Sequence, residues 1–153
     1  MTRPHKLQER FEIANKAGEI EFEARIHSSG SVALLDRTGR EVASSHVPAF
    51  RSGVDIRIEG KDVAKVFPVP HTGGVGYSIP SAFGELEATR QALGWGDRWT
   101  LTRDGVPVAT REDQILKDDP VRGTDKYQVE ITDGENAAFV LVTLFALKYL
   151  RLR

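Results

Sequence analysis

The sequence predicts a mainly β (α+β) fold, in which a closed antiparallel barrel of about twelve strands, in two related halves, surrounds a hydrophobic carboxy-terminal helix. Up to Gly134, short segments alternate between apolar and polar residues, which is typical of strands with one buried face. Turns rich in Asp and Gly separate these segments at regular intervals. The last long segment is apolar on every side, so other elements must surround it. A closed sheet is the simplest enclosure.

The predicted strands form hairpins. Residues 19–26 alternate strictly between charged and apolar side chains. The turns at residues 36–39, Gly60 and Asp104-Gly105 suit hairpins, because Asp bonds back to the backbone and Gly tolerates a positive φ. The predicted strand pairs are 31–35 with 40–44, 55–59 with 61–67, and 99–103 with 106–111, and a further strand covers 125–132.

Residues 68–98 are predicted to be the least regular part of the chain. Pro68, Pro70 and Pro80 interrupt it, together with several glycines. Residues 85–93 have good helix propensity, yet the same residues also fit a strand. Both alternatives stay open for that segment.

Two hairpins share a pattern, in residues 32–43 and in residues 99–109. Each has an apolar strand, a turn containing Asp and Gly, and then the dipeptide Val-Ala. This match favours two related halves. The alternative is that all hairpins of this kind use the same residues in their turns.

The helix is predicted over about residues 135–150. Acidic residues precede it and Lys148 and Arg151 close it, as the helix dipole prefers. Its apolar run, residues 137–147, would span about 17 Å at 1.5 Å per residue, whereas the hydrocarbon layer of a membrane is about 30 Å thick. The run therefore favours a buried core helix over a tail anchor.

Composition narrows the functional classes. The 153 residues fit a single domain at 11–153, preceded by a flexible segment at 1–10. The net charge of −1 argues against a histone-like nucleic-acid binder. The polar amino terminus predicts no secretory signal, and the absence of cysteine fits a cytoplasmic protein. No cofactor and no metal is expected.

Ser78 is the one candidate nucleophile. Residues 76–80 (Gly-Tyr-Ser-Ile-Pro) nearly match a nucleophile elbow, but Pro80 replaces the second glycine. A plain loop serine is therefore the favoured interpretation, with a cryptic serine hydrolase as the alternative. The four histidines lack metal-ligand spacing, and Asp118-Asp119-Pro120 reads better as a solvated turn than as a catalytic pair of carboxylates. Trp95 and Trp99 are predicted to be core or rim residues.

Four basic residues are the candidate binding site. If Arg51, Arg57, Lys61 and Lys65 lie on neighbouring strands, they could together hold an anionic headgroup. The favoured alternative is that each base pairs with a nearby acid on a solvated face. The nearby acids are Asp55, Glu59 and Asp62.

With these elements in order, the sequence resembles the LURP-one-related family, whose relatives are the tubby carboxy-terminal domain and the phospholipid scramblases. The likeness covers about residues 11–150. It is carried by the strand 11–13 (Phe-Glu-Ile), the hairpin 35–43 (Leu-Asp-Arg-Thr-Gly-Arg-Glu-Val-Ala), the strand 63–67 (Val-Ala-Lys-Val-Phe), the segment 104–109 (Asp-Gly-Val-Pro-Val-Ala) and residues 125–131, which lead through Asp133-Gly134 into the helix.

The resemblance implies a twelve-stranded barrel around a hydrophobic carboxy-terminal helix, and it favours a strand at residues 85–90. Tubby relatives bind phosphoinositide headgroups and scramblase-like members act at membranes, so an anionic phospholipid or a protein is the expected partner, without nucleic acid and without a transmembrane span. A peripheral position at the membrane would follow. The chain lacks the cysteine-rich segment and calcium ligands of scramblases, and no catalytic motif carries over.

Overall fold

The computed structural model describes residues 9–48, 53–69, 75–93, 96–114 and 126–150. They form eleven antiparallel strands in one sheet and a carboxy-terminal helix. In chain order, the elements are β1 (Glu9–Ala14), β2 (Ile20–Ile26), β3 (Val32–Asp36), β4 (Glu41–His46), β5 (Val54–Ile58), β6 (Lys61–Val69), β7 (Val75–Ser81), β8 (Gly84–Leu93), β9 (Gly96–Arg103), β10 (Val106–Gln114), β11 (Lys126–Ile131) and α1 (Ala137–Leu150).

The sheet is open in the described part of the chain. Each strand hydrogen-bonds to the next one in sequence, and β1 and β11 stand at the two ends of the order. The mainly β fold with one carboxy-terminal helix is thereby confirmed, whereas closure into a barrel stays a prediction. Because β1 begins at Glu9, it includes the last two residues of the segment expected to be flexible.

The chain divides into two compact units. Unit 1 contains the residues up to Lys65 and those from Asn136 onward, and unit 2 contains residues 66–135. The boundary falls within β6. Unit 1 therefore holds β1–β5 and α1, and unit 2 holds β7–β11.

In unit 1, α1 packs against β3, β4 and β5. Every side chain from residue 139 to 147 is buried, as an all-apolar helix requires. The Asn136 side chain accepts a hydrogen bond from the Phe139 amide at 3.0 Å, which caps the helix. The Phe11 ring of β1 lies 5.4 Å from the Phe145 ring, and the Lys148 ammonium lies 5.2 Å from the centre of the Phe11 ring. The aromatic contacts hold the first strand on the last element.

In unit 2, β7 and β8 correct the expectation that residues 68–98 are irregular. Pro80 lies in β7 one residue before its end, opposite Glu85, a position near a strand end where the missing amide is tolerated. Residues 85–93, left open between helix and strand, belong to β8, which pairs on both sides with β7 and β9. Pairing and burial of Leu86 and Ala88 outweigh the local helix propensity.

The two units use the same strand register. In unit 1, five residues on neighbouring strands are successive register partners: Phe11, Ala24, Leu34, Ala43 and Ile58. In unit 2, the corresponding register partners are Tyr77, Ala88, Leu101, Ala109 and Ile131. The pairing that two related halves would have is thus present in β1–β5 and in β7–β11.

A bulge occurs at the same place in both registers. In β4, Val42 is the extra residue between the partners of Leu35 and Leu34; in β10, Val108 is the extra residue between the partners of Thr102 and Leu101. The Val42 carbonyl accepts a hydrogen bond from the Glu59 amide at 3.1 Å, just after β5. In the same way, the Val108 carbonyl accepts one from the Thr132 amide at 2.9 Å, just after β11. A bulge bends and twists a strand locally, so the two hairpins bend alike.

The turns follow the predicted chemistry. Asp104 and Gly105 have φ angles of 53° and 80°, the positive values that a two-residue hairpin turn needs. In the turn at residues 36–39, the Asp36 carboxylate accepts hydrogen bonds from the amides of Thr38 at 2.9 Å and Arg40 at 3.1 Å. A further bond from the Thr38 hydroxyl is the main cause that lowers the pKa of Asp36.

A bidentate ion pair fixes the segment that leads out of unit 2. Nη1 and Nη2 of Arg103 each lie 2.9 Å from an oxygen of Glu135, while Nε donates to the Phe83 carbonyl at 2.9 Å. This hydrogen bonding lowers the pKa of Glu135 and raises that of Arg103. One guanidinium therefore ties the β7–β8 turn, β9 and the chain before α1 together.

Leu144 tests whether the all-apolar helix is core. It is fully buried, so Leu144→Asp would bury an unpaired charge and should cost at least several kcal/mol, enough to unfold a domain of ordinary stability. Circular dichroism and urea denaturation measure the loss. Val106→Asp is the matched control, because Val106 is 63% exposed and should change stability by less than about 0.5 kcal/mol. A folded, soluble Leu144→Asp protein would contradict a core position.

Glu135 gives stability a defined pH dependence. Its folded pKa lies below the unfolded value, about 4.3, so the pair stabilises the protein above that pH and its contribution is lost as the pH falls through the folded pKa. Glu135→Gln should cost about 1 kcal/mol at pH 7, and this difference should shrink towards pH 3 in urea denaturation. Glu41→Gln, at an exposed position, is the control. A difference that does not change with pH would refute the electrostatic role.

Candidate functional site

The predicted basic site lies on the β5–β6 hairpin. Arg57 is on β5, and Lys61 and Lys65 are on β6, so three of the four candidate residues do share one hairpin. A two-residue turn, Glu59-Gly60, joins the strands with φ angles of 51° and 81°. Arg51 lies outside the described residues. We call Arg57, Lys61 and Lys65 the basic hairpin surface.

Acids lie beside two of these three bases. Arg57 Nε is 2.8 Å from Asp62 Oδ1, and Lys65 Nζ is 3.5 Å from Asp55 Oδ1. The hydrogen bond to Asp62 is the main cause that raises the pKa of Arg57. The favoured alternative of the sequence, pairing with nearby acids, is therefore confirmed for Arg57 and Lys65.

Lys61 differs from its neighbours. It is exposed at the start of β6 and makes no ion pair with the residues that the structure describes. The third acid of the hairpin, Glu59, is instead bound by Arg40 of the β3–β4 turn, with Nη1 2.9 Å from Oε2. Lys61 is thus available to a charged partner in solution.

The ion pairs of the hairpin are weak enough to exchange. The side chains of Arg57 and Lys65 are 42% and 45% exposed, and exposed pairs are typically worth about 0–1 kcal/mol each. A ligand with several negative charges can therefore replace single carboxylates at modest cost. Until it does, the carboxylates hold two of the cations in place.

Ser78 lies in the middle of β7 rather than on a turn. Its register partner on β8 is Glu87, and the buried neighbours Tyr77 and Ile79 point to the opposite face. A nucleophile elbow needs a sharp turn from strand to helix, whereas β7 continues to Ser81 and is followed by another strand. This local geometry favours the plain serine over the nucleophile.

The other candidates are distributed as follows. His27 and His46 are exposed, while His5, His71, Trp95 and residues 118–120 lie outside the described residues. Trp99 is buried, as predicted for a core residue. Among the described side chains, no three of His, Cys, Asp and Glu are grouped so that they could hold a metal ion.

The sequence pattern alone did not predict a polar group on the buried face of unit 2. In register, Arg90 of β8 stands opposite Trp99 of β9, which stands opposite Arg111 of β10. Arg111 is 1% exposed. The similarity of the two hairpins could have revealed Arg111. When Val42-Ala43 is aligned with Val108-Ala109, Ser45 aligns with Arg111 two residues further on.

Comparison of the chain with protein-family models, with curated proteins and with solved structures found no match. The LURP-one-related resemblance therefore stays a prediction. The described helix, α1, has 14 residues and spans about 21 Å. Within the described residues, the structure contains no helix long and apolar enough to cross a membrane.

Proposed function

We propose that this chain is a non-enzymatic binding module of the LURP-one-related type, built as a closed barrel, which binds an anionic lipid headgroup through the basic hairpin surface. It would act from the cytoplasm, at the face of a membrane. The observation that carries the proposal is the position of Lys61, exposed and outside the ion pairs of the described residues, on the same hairpin as Arg57 and Lys65.

Local charge supports a multivalent ligand. The chain carries a net charge of −1, so no long-range field attracts polyanions, and binding must come from short-range contacts. A guanidinium donates two hydrogen bonds to one phosphate, while an ammonium acts as a point charge. A headgroup with more than one phosphate can use both kinds of group at once, which a single carboxylate cannot.

Liposome co-sedimentation tests the proposal. We expect the protein to pellet with vesicles that contain phosphoinositide, to stay in the supernatant with neutral vesicles, and to be released as salt screens the charges over about 10 Å at 0.1 M. Lys61→Glu with Lys65→Glu should abolish pelleting. Lys16→Glu with Arg37→Glu, at two exposed turn positions of unit 1, changes the net charge equally and should leave pelleting intact.

Three outcomes would contradict parts of the proposal. If the protein stays in the supernatant with phosphoinositide vesicles at low salt, a protein partner replaces the lipid. If both double variants pellet alike, the site lies elsewhere. If the purified protein hydrolyses simple esters and Ser78→Ala abolishes the reaction, the non-enzymatic assignment is wrong and Ser78 is a nucleophile.

A further inference from the structure

Arg57 of the basic hairpin surface carries two donor nitrogens that no described residue uses. Its Nε donates a hydrogen bond to Asp62 Oδ1 at 2.8 Å. Its Nη1 and Nη2 make no hydrogen bond to the residues that the structure describes. A guanidinium can donate two parallel hydrogen bonds to one phosphate, so Arg57 can bind a phosphate by these two nitrogens while its bond to Asp62 stays intact.

Asp62 is the acid that holds the Arg57 guanidinium. Glu59, two residues after Arg57 on the same hairpin, is bound by Arg40 of the β3–β4 turn at 2.9 Å. The hydrogen bond to Asp62 is the main cause that raises the pKa of Arg57, and the charge of Asp55 adds a smaller contribution. Asp55 therefore acts on Arg57 through its charge, whereas Asp62 makes the direct contact.

The backbone under Arg57 is fixed, so the bond to Asp62 acts on the side chain. β5 pairs with β4, and just after β5 the Glu59 amide donates to the Val42 carbonyl at 3.1 Å. The Arg57 side chain itself is 42% exposed, and a long exposed side chain has many rotamers. The hydrogen bond at Nε limits these rotamers before a ligand arrives, which reduces the entropy lost on binding.

Asp62 has two opposite effects on an anion at Arg57. Its hydrogen bond orders the guanidinium, while its negative charge repels the anion. Substitution separates these effects, because asparagine keeps an acceptor oxygen and nearly the size of aspartate, whereas alanine removes the acceptor as well. Both substitutions remove the charge, so a difference between the two variants reports the hydrogen bond rather than the charge.

We propose that Asp62 is a positioning residue of the headgroup site, which holds Arg57 by Nε so that Nη1 and Nη2 together bind one phosphate of the headgroup. This inference rests on the proposed function, because it concerns the same site. It goes further by giving a role to an acid that does not itself touch the ligand. It also implies that lysine cannot replace Arg57, because an ammonium lacks the paired donors of a guanidinium.

Co-sedimentation with vesicles of phosphatidylcholine and phosphatidylinositol bisphosphate measures the role of Asp62. Asp62→Asn should bind at least as tightly as the wild-type protein, because it keeps the bond to Arg57 and removes a repulsive charge. Asp62→Ala should bind about threefold to tenfold more weakly than Asp62→Asn, the range expected when one long side chain must be ordered on binding. Equal affinities of these two variants would refute the positioning role.

Asp133 provides the matched control. It is exposed in the turn before α1, so Asp133→Asn and Asp133→Ala make the same change of charge and of side chain away from the hairpin. These two variants should bind the vesicles alike. If they differ as much as the two Asp62 variants do, the difference does not come from the bond to Arg57 and the proposal is wrong.

A double-mutant cycle shows whether Asp62 acts through Arg57. In an Arg57→Met protein, Asp62→Asn and Asp62→Ala should bind alike, because no guanidinium is left to be held. A difference that persists in that protein would contradict the proposal. Arg57→Lys keeps the charge and should still weaken binding by about threefold or more, because a bidentate contact is lost.

Failure of this inference can be told apart from failure of the proposed function. If the wild-type chain does not bind the bisphosphate vesicles, headgroup binding is wrong and the role of Asp62 is wrong with it. If the wild-type chain binds but Arg57→Lys binds equally well, headgroup binding stands and the paired bonds from Arg57 are refuted. The Asp62 side chain is 68% exposed, so its substitution should leave the fold intact, which circular dichroism checks.

Discussion

Strand register is the constraint on which the rest of this structure depends. Side chains alternate between two faces along every strand, so a slip of one residue would exchange the buried set for the exposed set. The bulges at Val42 and Val108 and the short Asp/Gly turns set that register in both units. Once it is set, alanine, leucine and alanine lie side by side in adjacent strands of each unit, so a large residue lies between two small ones.

The same register supports different contents in the two units. In unit 1, it presents an apolar surface to α1, whose residues 139–147 are all buried and are apolar except for Thr143. In unit 2, it presents Arg90 and Arg111 on either side of Trp99. The two units therefore share the same strand pairing but differ in the polarity of the side chains at these positions.

Sequence reasoning predicted the elements whose signals are local. Strict alternation at residues 19–26, the turn chemistry at Asp36 and Asp104, and the all-apolar run of α1 depend on neighbours in the chain, and each of these elements is present. It treated the region of β7 as irregular because of Pro80, and it left residues 85–93 open between helix and strand, where pairing with β7 and β9 decides for a strand. Non-local pairing leaves little trace in a single sequence.

The candidate site residues also divide into those that local sequence predicts and those that only strand pairing brings together. The sequence placed Arg57, Lys61 and Lys65 on one hairpin and offered their acidic partners as the alternative, because all of these residues lie within eleven positions of each other. Arg90 and Arg111 are 21 positions apart and separated by a strand, so only the register brings them to one place. Comparison of the two units reveals such a pair, because Ile26 and Ser45 occupy in unit 1 the positions that Arg90 and Arg111 occupy in unit 2.

Exposed and buried charged side chains contribute differently to the stability of the fold. An exposed pair such as Arg57–Asp62 is screened by water and can be gained or lost with little effect on folding. A buried guanidinium costs several kcal/mol unless it is balanced, and well-packed apolar side chains of similar volume are often as stable or more so. Unit 1 shows that this register accepts Ile26 and Ser45 at the corresponding places. The register alone therefore does not demand an arginine at either place.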